Sequence, residues 1–349
     1  MTSKSPAPDP LISCVMIFLN GEKYIAAAIE SVLAQTRSDW ELILVDDGTT
    51  DGATAIVRSY CETHPGRIRM ISHPGGRNLG MSASRNAGVR ASRGRYVAFL
   101  DADDIWLPAR LETHVAELER NPEVAMAMSP TVFWKSWNRK LAPWWRPWAC
   151  EDVSYCAGLA DRSVMPPPDA ATHFLQRRGD GVPGICSVTI RRSAFEAVGG
   201  CDDTFRTLYE DQVLLFKLFL EHPVIALDSV LALYRQHSAS TCASEGGLAG
   251  DKGARPVFLA WLQAWLGARG IDDPKLRDAL AVEIARVANW KRPSPLRRLI
   301  GLWQIESRQA AIWLLRPGRH NRLRGRFGLT PLANDLGAPI ASEGRSPSR

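Results

Sequence analysis

The sequence predicts an α/β fold in which a mostly parallel sheet is flanked by helices and followed by a helical C-terminal extension. In the first third of the chain, short apolar segments rich in β-branched residues alternate with segments of helical spacing. Such alternation is typical of βαβ units and a parallel sheet. Acidic residues directly follow two of the apolar segments, and ligands bind open parallel sheets at the carboxyl ends of the strands.

Each predicted strand in this first third is followed by a predicted helix. Apolar residues predict buried strands at 11–19, 40–45, 67–72 and 95–100. The helices that follow them are expected at 21–36, 53–64, 81–94 and 107–122. Pro65 and Gly66 end the second of these helices, and Gly94 ends the third.

The middle of the chain breaks this pattern. Residues 133–148 (FWKSWNRKLAPWWRPW) place five tryptophans among basic residues and prolines, which predicts a long loop or insertion. The rings could stack on an acceptor sugar or simply cover the core, and the sequence leaves both interpretations open. The pattern resumes after Pro168, with strands expected at 185–192 and 224–228 and a helix at 210–222.

The expected organisation is one large domain with extensions at both ends. The domain spans residues 11–245 and contains an insertion at 133–170; a helical region follows at 246–335, and disordered tails are expected at 1–10 and 336–349. The chain has no run of about 18 apolar residues and no signal-peptide core, so we expect a cytoplasmic protein without a transmembrane helix. Its seven cysteines form no CxxC pair, so we expect reduced thiols and no zinc site.

The net charge of +6 is a local property of the C-terminal part. Residues 290–327 carry +9, so the rest of the chain sums to −3. Within this basic segment, residues 294–317 have amphipathic helical spacing, which fits either a peripheral contact with an anionic membrane or a helix packed on the domain. No recognised nucleic-acid motif accompanies the basic and aromatic residues, so nucleic acid is not an expected partner.

An acidic cluster, DADD, ends the fourth predicted strand. Because residues i and i+2 of an extended chain face the same way, Asp101 and Asp103 are expected to project together, and Asp104 is expected to cap the following turn. Paired carboxylates bind Mg²⁺ or Mn²⁺ together with water and the phosphates of a nucleotide. The simpler alternative is that all three acids form a turn or cap the next helix.

A second acidic pair, Asp46 and Asp47, ends the second predicted strand. It could accept hydrogen bonds from a nucleobase or a ribose, or it could form an Asp-Gly turn that leads into a helix. The chain has neither GxxxxGK[ST] nor GxGxxG after its first strand, which argues against a P-loop or a dinucleotide site. A nucleotide would therefore have to be held by carboxylates and a metal ion.

Three segments resemble the inverting family 2 glycosyltransferases, which have the Rossmann-like GT-A fold. They are NGEKYIAAAIESVLAQTRSDWELILVDDGTTDG, GMSASRNAGVRASRGRYVAFLDADDIWLP and YEDQVLLFKL. The resemblance is close over residues 11–120 and looser over 180–245. It implies metal-dependent transfer of a sugar, with inversion, from a nucleotide-diphosphate sugar to a hydroxyl of a carbohydrate or lipid-linked acceptor. A UDP-sugar is the expected donor, and the product would belong to cell-surface glycan or glycolipid synthesis.

The resemblance also implies roles for the acidic residues. Asp46 and Asp47 would bind the nucleoside. Asp101 and Asp103 would bind the donor diphosphate and its Mn²⁺ or Mg²⁺, with Asp103 as the direct metal ligand. The Gln-x-x-Arg-Trp motif and membrane helices of processive members are absent from the sequence, which favours transfer of a single sugar.

Further residues complete the expected site. Glu210 and Asp211 match the pair that supplies the catalytic base, and His237 in YRQHSAS could approach the metal or the diphosphate. Phe18 stands in Ile-Phe-Leu where the family usually has Pro-Thr-Tyr, at positions that approach the base. Arg85 could face the phosphates or belong to a solvated helix face.

Two other functions fit parts of the pattern. A non-catalytic carbohydrate-binding protein could use the same fold, although it would be expected to lose the acids that are present here. A metal-dependent phosphotransferase of the haloacid dehalogenase type also has DxD after an apolar strand. In that class the acids follow the first strand of the core, whereas here they follow the fourth predicted strand.

Overall fold

The computed structural model describes residues 10–141, 152–155, 158–179, 181–244 and 251–289. The chain divides into two compact units, one made of Met1–Trp137 with Asp152–Trp290 and the other of Asn138–Glu151 with Lys291–Arg349. Nearly all described residues belong to the first unit. The basic segment 290–327, the C-terminal tail and residues 1–9 lie outside the described residues, so the expectations about them stay predictions.

The strands of the described residues fall into two sheets. In chain order they are β1 (Ile12–Phe18), β2 (Trp40–Asp46), β3 (Ile68–Ser72), β4 (Tyr96–Phe99), β5 (Ile105–Trp106), β6 (Met126–Met128), β7 (Thr131–Trp134), β8 (Val153–Tyr155), β9 (Ser163–Met165), β10 (Val188–Arg191), β11 (Val224–Ala226) and β12 (Ala232–Arg235). The large sheet has the order β3-β2-β1-β4-β10-β6-β11-β9, and the small sheet has the order β5-β12-β7-β8.

The large sheet is mostly parallel, as the sequence predicts. β1 pairs in parallel with β2 and β4, β2 with β3, and β6 with β11. β10 is antiparallel to both of its neighbours, and β9 is antiparallel to β11. The carboxyl ends of β1, β2 and β4 therefore meet at one edge of the sheet.

Most helices of the described residues pack on one of the two faces of this sheet. In chain order the helices are α1 (Ile25–Leu33), α2 (Ala53–Thr63), α3 (Met81–Ala91), α4 (Arg110–Arg120), α5 (Asp169–Gln176), α6 (Arg192–Ala197), α7 (Glu210–Glu221), α8 (Thr241–Ser244), α9 (Asp251–Arg269) and α10 (Pro274–Ala288). Within the part of the chain that the structure describes, no helix is long and apolar enough to cross a membrane.

The alternation predicted for the first third is confirmed, with shorter elements. The first helix begins only at Ile25, after a turn in which the amides of Tyr24 and Ile25 both donate to the Gly21 carbonyl. The prediction of a loop from residue 133 is wrong for its first two residues. Phe133 and Trp134 lie in β7, since they pair with Tyr234 and Arg235 of β12, a partner that is a hundred residues distant in the sequence.

The core consists of two apolar clusters, one on each face of the large sheet. Every residue of β1 is buried, and its side chains alternate between the clusters. One cluster contains buried side chains from α1, α2 and α4; the other contains side chains from α3, α5, α7, α9 and α10. The two C-terminal helices of the described residues therefore share the core of the strand-containing domain.

Close packing of α3 against the sheet depends on Gly88. A Cβ atom at this position would lie 2.4 Å from Val15 Cγ1 and 3.1 Å from Val45 Cγ2, whereas a Cβ at Gly267 in α9 would meet nothing within 4 Å. Both valines are fully buried in their strands. The α3 helix can therefore approach β1 and β2 only because residue 88 has no side chain.

Substituting each of these two glycines by alanine is expected to have opposite effects on stability. Gly88→Ala should lower the free energy of unfolding by about 1–3 kcal/mol, because a methyl group overpacks the helix–sheet contact. Gly267→Ala should raise it by about 0.5–1 kcal/mol, because alanine loses less backbone entropy in an exposed helix. Urea unfolding of both variants measures this difference, and equal effects would contradict the packing argument.

Candidate active site

The acidic cluster after β4 forms a turn, not an extended strand end. The amide of Asp104 donates to the carbonyl of Asp101 over 3.0 Å, so the chain reverses within these four residues. The expectation that Asp101 and Asp103 project together by strand alternation is therefore wrong. Asp101 instead contacts α3 and Asp103 contacts the segment after β12, while both side chains stay partly exposed at 29% and 26%.

A buried arginine joins the acidic turn to the start of α7. Arg85 on α3 is only 1% exposed; its Nη2 donates to Asp101 Oδ1 over 2.7 Å, and its Nη1 forms an ion pair with Glu210 Oε2. The interpretation of Arg85 as part of a solvated helix face is therefore wrong. One guanidinium brings together residues that are separated by more than 100 positions in the sequence.

Arg85 and the carboxyl groups around it affect one another's pKa values. Burial alone would lower the pKa of Arg85, but the carboxylates of Glu210 and Asp101 outweigh burial and raise it. Burial raises the pKa of Glu210; Asp211 and Asp101 add to this effect, and Arg85 opposes it. The arginine thus offsets repulsion among three neighbouring carboxylates, which would otherwise be costly in a buried site.

Asp211 differs from Glu210 in its exposure. Glu210 is buried against Arg85, whereas Asp211 is partly exposed and its Oδ1 accepts a 2.7 Å hydrogen bond from the Gln212 amide. Burial raises the pKa of Asp211; Asp101 adds to this effect, while Arg85 opposes it. Both acids at the start of α7 have a raised pKa, but only Asp211 also has the accessibility that a general base requires.

Asp103 and His237 form the second half of the site. His237 Nε2 lies 2.8 Å from Asp103 Oδ2, and the His237 ring packs against Tyr24 with centroids 4.7 Å apart. Arg235 Nε donates to the Asp103 carbonyl over 2.6 Å. The Arg235 guanidinium also lies over three aromatic rings, those of Tyr24, Trp134 and Trp137. The sequence reasoning missed Tyr24 and Arg235, although Arg235 stands two positions before the predicted His237.

The donor set around Asp103 fits a divalent cation that also binds phosphate. Asp103 and His237 converge, but no group of three or more His, Cys, Asp or Glu side chains among the described residues could hold a metal ion. Mg²⁺ and Mn²⁺ commonly use one or two protein ligands and complete their coordination with water and substrate phosphates. The residues present therefore fit an ion that arrives with a diphosphate.

The expectation that Asp104 only caps the following turn is wrong, because its side chain binds a distant strand. Its side chain is 1% exposed, and Oδ1 accepts a 2.9 Å hydrogen bond from the Arg235 amide. Burial holds the pKa of Asp104 well above its ordinary range, with Asp103 and Asp101 adding to this effect. Asp104 therefore ties the acidic turn to β12.

The acids at the end of β2 organise two loops. Asp46 Oδ1 accepts hydrogen bonds from the amides of Gly48 and Thr49, and Asp47 Oδ1 accepts a 2.7 Å hydrogen bond from the Leu79 amide. Both carboxylates are buried and lie at the sheet edge that also carries the acidic turn. A carboxylate can accept about four hydrogen bonds, which is more than the amides of Gly48, Thr49 and Leu79 use. Nucleoside binding by Asp46 and Asp47 stays a prediction.

The structure corrects the expectation for Phe18. Its ring is 2% exposed and belongs to the core cluster that contains α1, so the side chain is not available to a nucleobase. The next residue, Leu19, is 47% exposed. Strand alternation explains the difference, because Phe18 is the last residue of β1 and points into the core.

The topology of the large sheet and the acids at its carboxyl edge define a Rossmann-like α/β protein of the GT-A type. Residues 13–199, more than half of the chain, match the family described as "Glycosyl transferase family 2". The chain belongs to this family and is a glycosyltransferase, which excludes the phosphotransferase alternative. The family assignment agrees with the resemblance of the three quoted segments.

The matches to relatives of known sequence cover between 32% and 70% of this chain. An uncharacterised glycosyltransferase of Nostoc sp. is 28% identical over 246 residues, which are 70% of each chain. The UDP-Glc:alpha-D-GlcNAc-diphosphoundecaprenol beta-1,3-glucosyltransferase WfgD of Escherichia coli is 34% identical over 32% of this chain and 43% of its own length. The putative glycosyltransferase EpsE of Bacillus subtilis is matched over 40% of its length.

Solved structures support the fold at low sequence identity. TarS of S. aureus superposes with a TM-score of 0.54 at 17% identity and covers 80% of this chain and 44% of TarS. The mannosyltransferase PcManGT of Pyrobaculum calidifontis, solved with GDP-Man and Mn²⁺, superposes with a TM-score of 0.52 at 16% identity; the match covers 91% of this chain and 84% of PcManGT. At these identities the comparison shows the fold alone.

Removing the charge of Arg85 is expected to destabilise the protein strongly. Arg85→Gln leaves Asp101 and Glu210 without their shared cation, and breaking a buried ion pair from one side costs about 3–5 kcal/mol. Arg90→Gln, at an exposed position on the same helix, should change stability by less than about 0.5 kcal/mol. Urea unfolding compares the two variants, and similar stabilities would contradict the role of Arg85.

Proposed function

We propose that the enzyme transfers a single sugar, with inversion, from a UDP-sugar to a hydroxyl of a carbohydrate or lipid-linked acceptor, and that it uses Mn²⁺ or Mg²⁺. The main support for this proposal is that Arg85 forms ion pairs with both Asp101 and Glu210. It sets the acids of the DxD turn beside the acids that begin α7. The names of WfgD and PcManGT, which specify UDP-Glc and GDP-Man, support a nucleotide-sugar donor.

The Asp103 side of the site would bind the donor diphosphate with its cation. Asp103 Oδ2 and His237 Nε2 would hold the ion, and Asp101 would orient the donor beside it. When bound, the divalent ion neutralises charge on the departing diphosphate. Arg235 holds the Asp103 carbonyl, and Tyr24 packs on the His237 ring, so these two residues fix the ligands in place.

The α7 side of the site would activate the acceptor. Asp211 accepts the proton of the acceptor hydroxyl while that oxygen attacks C1 of the sugar. The bond from C1 to the diphosphate oxygen breaks on the opposite face, so the configuration at C1 inverts once. Glu210 remains paired with Arg85 and is buried, which leaves the partly exposed Asp211 as the group that takes the proton.

The nucleoside would bind at the edge formed by β1 and β2. Asp46 and Asp47 have the acceptor oxygens for a ribose or a base, and Leu19 has the exposed apolar side chain that can cover a base. Uracil is the proposed base. The acceptor belongs to cell-surface glycan or glycolipid synthesis, in keeping with the diphosphoundecaprenol acceptor in the name of WfgD.

A panel of nucleotide sugars tests donor and metal together. UDP-glucose or UDP-N-acetylglucosamine with Mn²⁺ should raise the melting temperature, and EDTA should abolish the shift; GDP-mannose should give a smaller shift. Asp103→Asn should lose the metal-dependent shift, while Asp272→Asn at an exposed position should keep it. If no nucleotide sugar stabilised the protein in a metal-dependent way, the proposed function would be rejected.

Replacing the proposed base separates binding from chemistry. Asp211→Asn should bind the donor with an unchanged Kd, because the side chain keeps its size and does not contact the proposed diphosphate site. Turnover, measured as release of nucleoside diphosphate, should fall by about 10²–10⁴-fold because no group accepts the hydroxyl proton. Retained turnover would rule out Asp211 as the base.

A further inference from the structure

The residue just before α7, two positions before the proposed base, has an unfavourable backbone conformation. Tyr209 has φ = 67° and ψ = 3°, which is the left-handed region, and its carbonyl accepts the first α7 hydrogen bond from the Val213 amide over 2.9 Å. This conformation costs a non-glycine residue about 1–2 kcal/mol. Such strain persists only where the surroundings hold it, and it is common at functional sites.

Helix α9 supplies the surroundings that hold Tyr209. The ring of Tyr209 stacks on Phe258 with centroids 5.2 Å apart and planes inclined by 26°. The guanidinium of Arg255 lies 5.8 Å from the Tyr209 ring, and its Nη1 is 3.5 Å from the Tyr209 hydroxyl. Arg255 and Phe258 are three positions apart on α9, so they lie on one face of the helix.

Helix α10 in turn holds Arg255. Glu283 Oε1 accepts a 2.8 Å hydrogen bond from Arg255 Nε and lies 2.7 Å from Nη2, while Oε2 accepts from Arg286 Nε over 2.6 Å. Arg255 and Glu283 are both buried. Burial alone would raise the pKa of Glu283, but Arg286 and Arg255 outweigh it and lower the pKa, so the carboxylate stays charged and paired.

We propose that α9 and α10 position the catalytic base: Phe258 and Arg255 hold Tyr209 in its left-handed conformation and thereby set the direction in which α7 presents Asp211. Tyr209 is a positioning residue, because it acts through the backbone that leads into Glu210 and Asp211. If Tyr209 relaxed to a right-handed or extended conformation, the first turn of α7 would rotate away from Arg85 and Asp101. Helices α9 and α10 therefore support the conformation in which Asp211 can act as the base. This inference rests on the proposed function of Asp211.

A matched pair of phenylalanines allows a direct test. Phe219 stacks on Phe174 at 5.1 Å and 29°, much as Phe258 stacks on Tyr209. Both phenylalanines are fully buried, and both make an edge contact with Phe216. Phe258→Leu and Phe219→Leu therefore remove equivalent rings from one core, but only Phe258→Leu removes the support of Tyr209.

The first measurement is amide hydrogen exchange at Val213, which needs no enzymatic activity. Its amide donates to the Tyr209 carbonyl, so exchange reports on the conformation of Tyr209. In Phe258→Leu the Val213 amide should exchange about tenfold faster or more than in Phe219→Leu. Equal exchange rates of the Val213 amide in the two variants would overturn the inference, whether or not the enzyme shows turnover.

The second measurement is turnover by the same variants with a nucleotide sugar and Mn²⁺. Phe258→Leu should lower kcat by about 10- to 100-fold, because a base displaced by about 1 Å loses that much rate, while the donor Kd stays unchanged. Phe219→Leu should keep the kcat of the folded wild-type enzyme. Equal kcat values in the two variants would overturn the inference, whereas a wild-type protein without any turnover would reject the proposed function instead.

Discussion

The site depends on one buried cation. Arg85 stands between Asp101 and Glu210 with almost none of its surface in water. Three carboxylates close together would repel one another in a region of low polarity, and a buried guanidinium without partners would be equally costly. The guanidinium and the carboxylates therefore stabilise one another in the buried site. Their ion pairs fix α3, the turn after β4 and the start of α7 relative to one another.

This constraint explains why the two acids that begin α7 have different properties. Burial raises the pKa of both acids, but Glu210 is the counter-ion of Arg85 and is buried with it, while Asp211 keeps partial exposure. A general base must reach its substrate and must have sufficient basicity. Of the two acids, only Asp211 combines a raised pKa with partial exposure, because Glu210 forms the buried ion pair with Arg85.

The support of the site extends well beyond the acidic residues. Asp104 and Arg235 fasten the turn after β4 to the small sheet. Asp46 and Asp47 hold the loops after β2 and β3 through backbone amides. Each of these groups is buried, so its hydrogen bonds face little competition from water and are costly to break. The loops that carry the acids are thereby held by bonds that the sequence motifs do not reveal.

The sequence by itself determined the order of the first strands and helices, the sheet edge at which the acids gather, and the family. These features are local: apolar runs, helical spacing and the acids that end two strands can be seen within short segments. Only the tertiary structure decided that Arg85 is buried, that Phe18 faces the core and that Asp104 binds β12. It also decided that Tyr209 rests on α9. Each of these features depends on a contact between segments that are distant in the sequence. A local sequence pattern does not indicate which distant side chain pairs with a charged group or stacks on a ring.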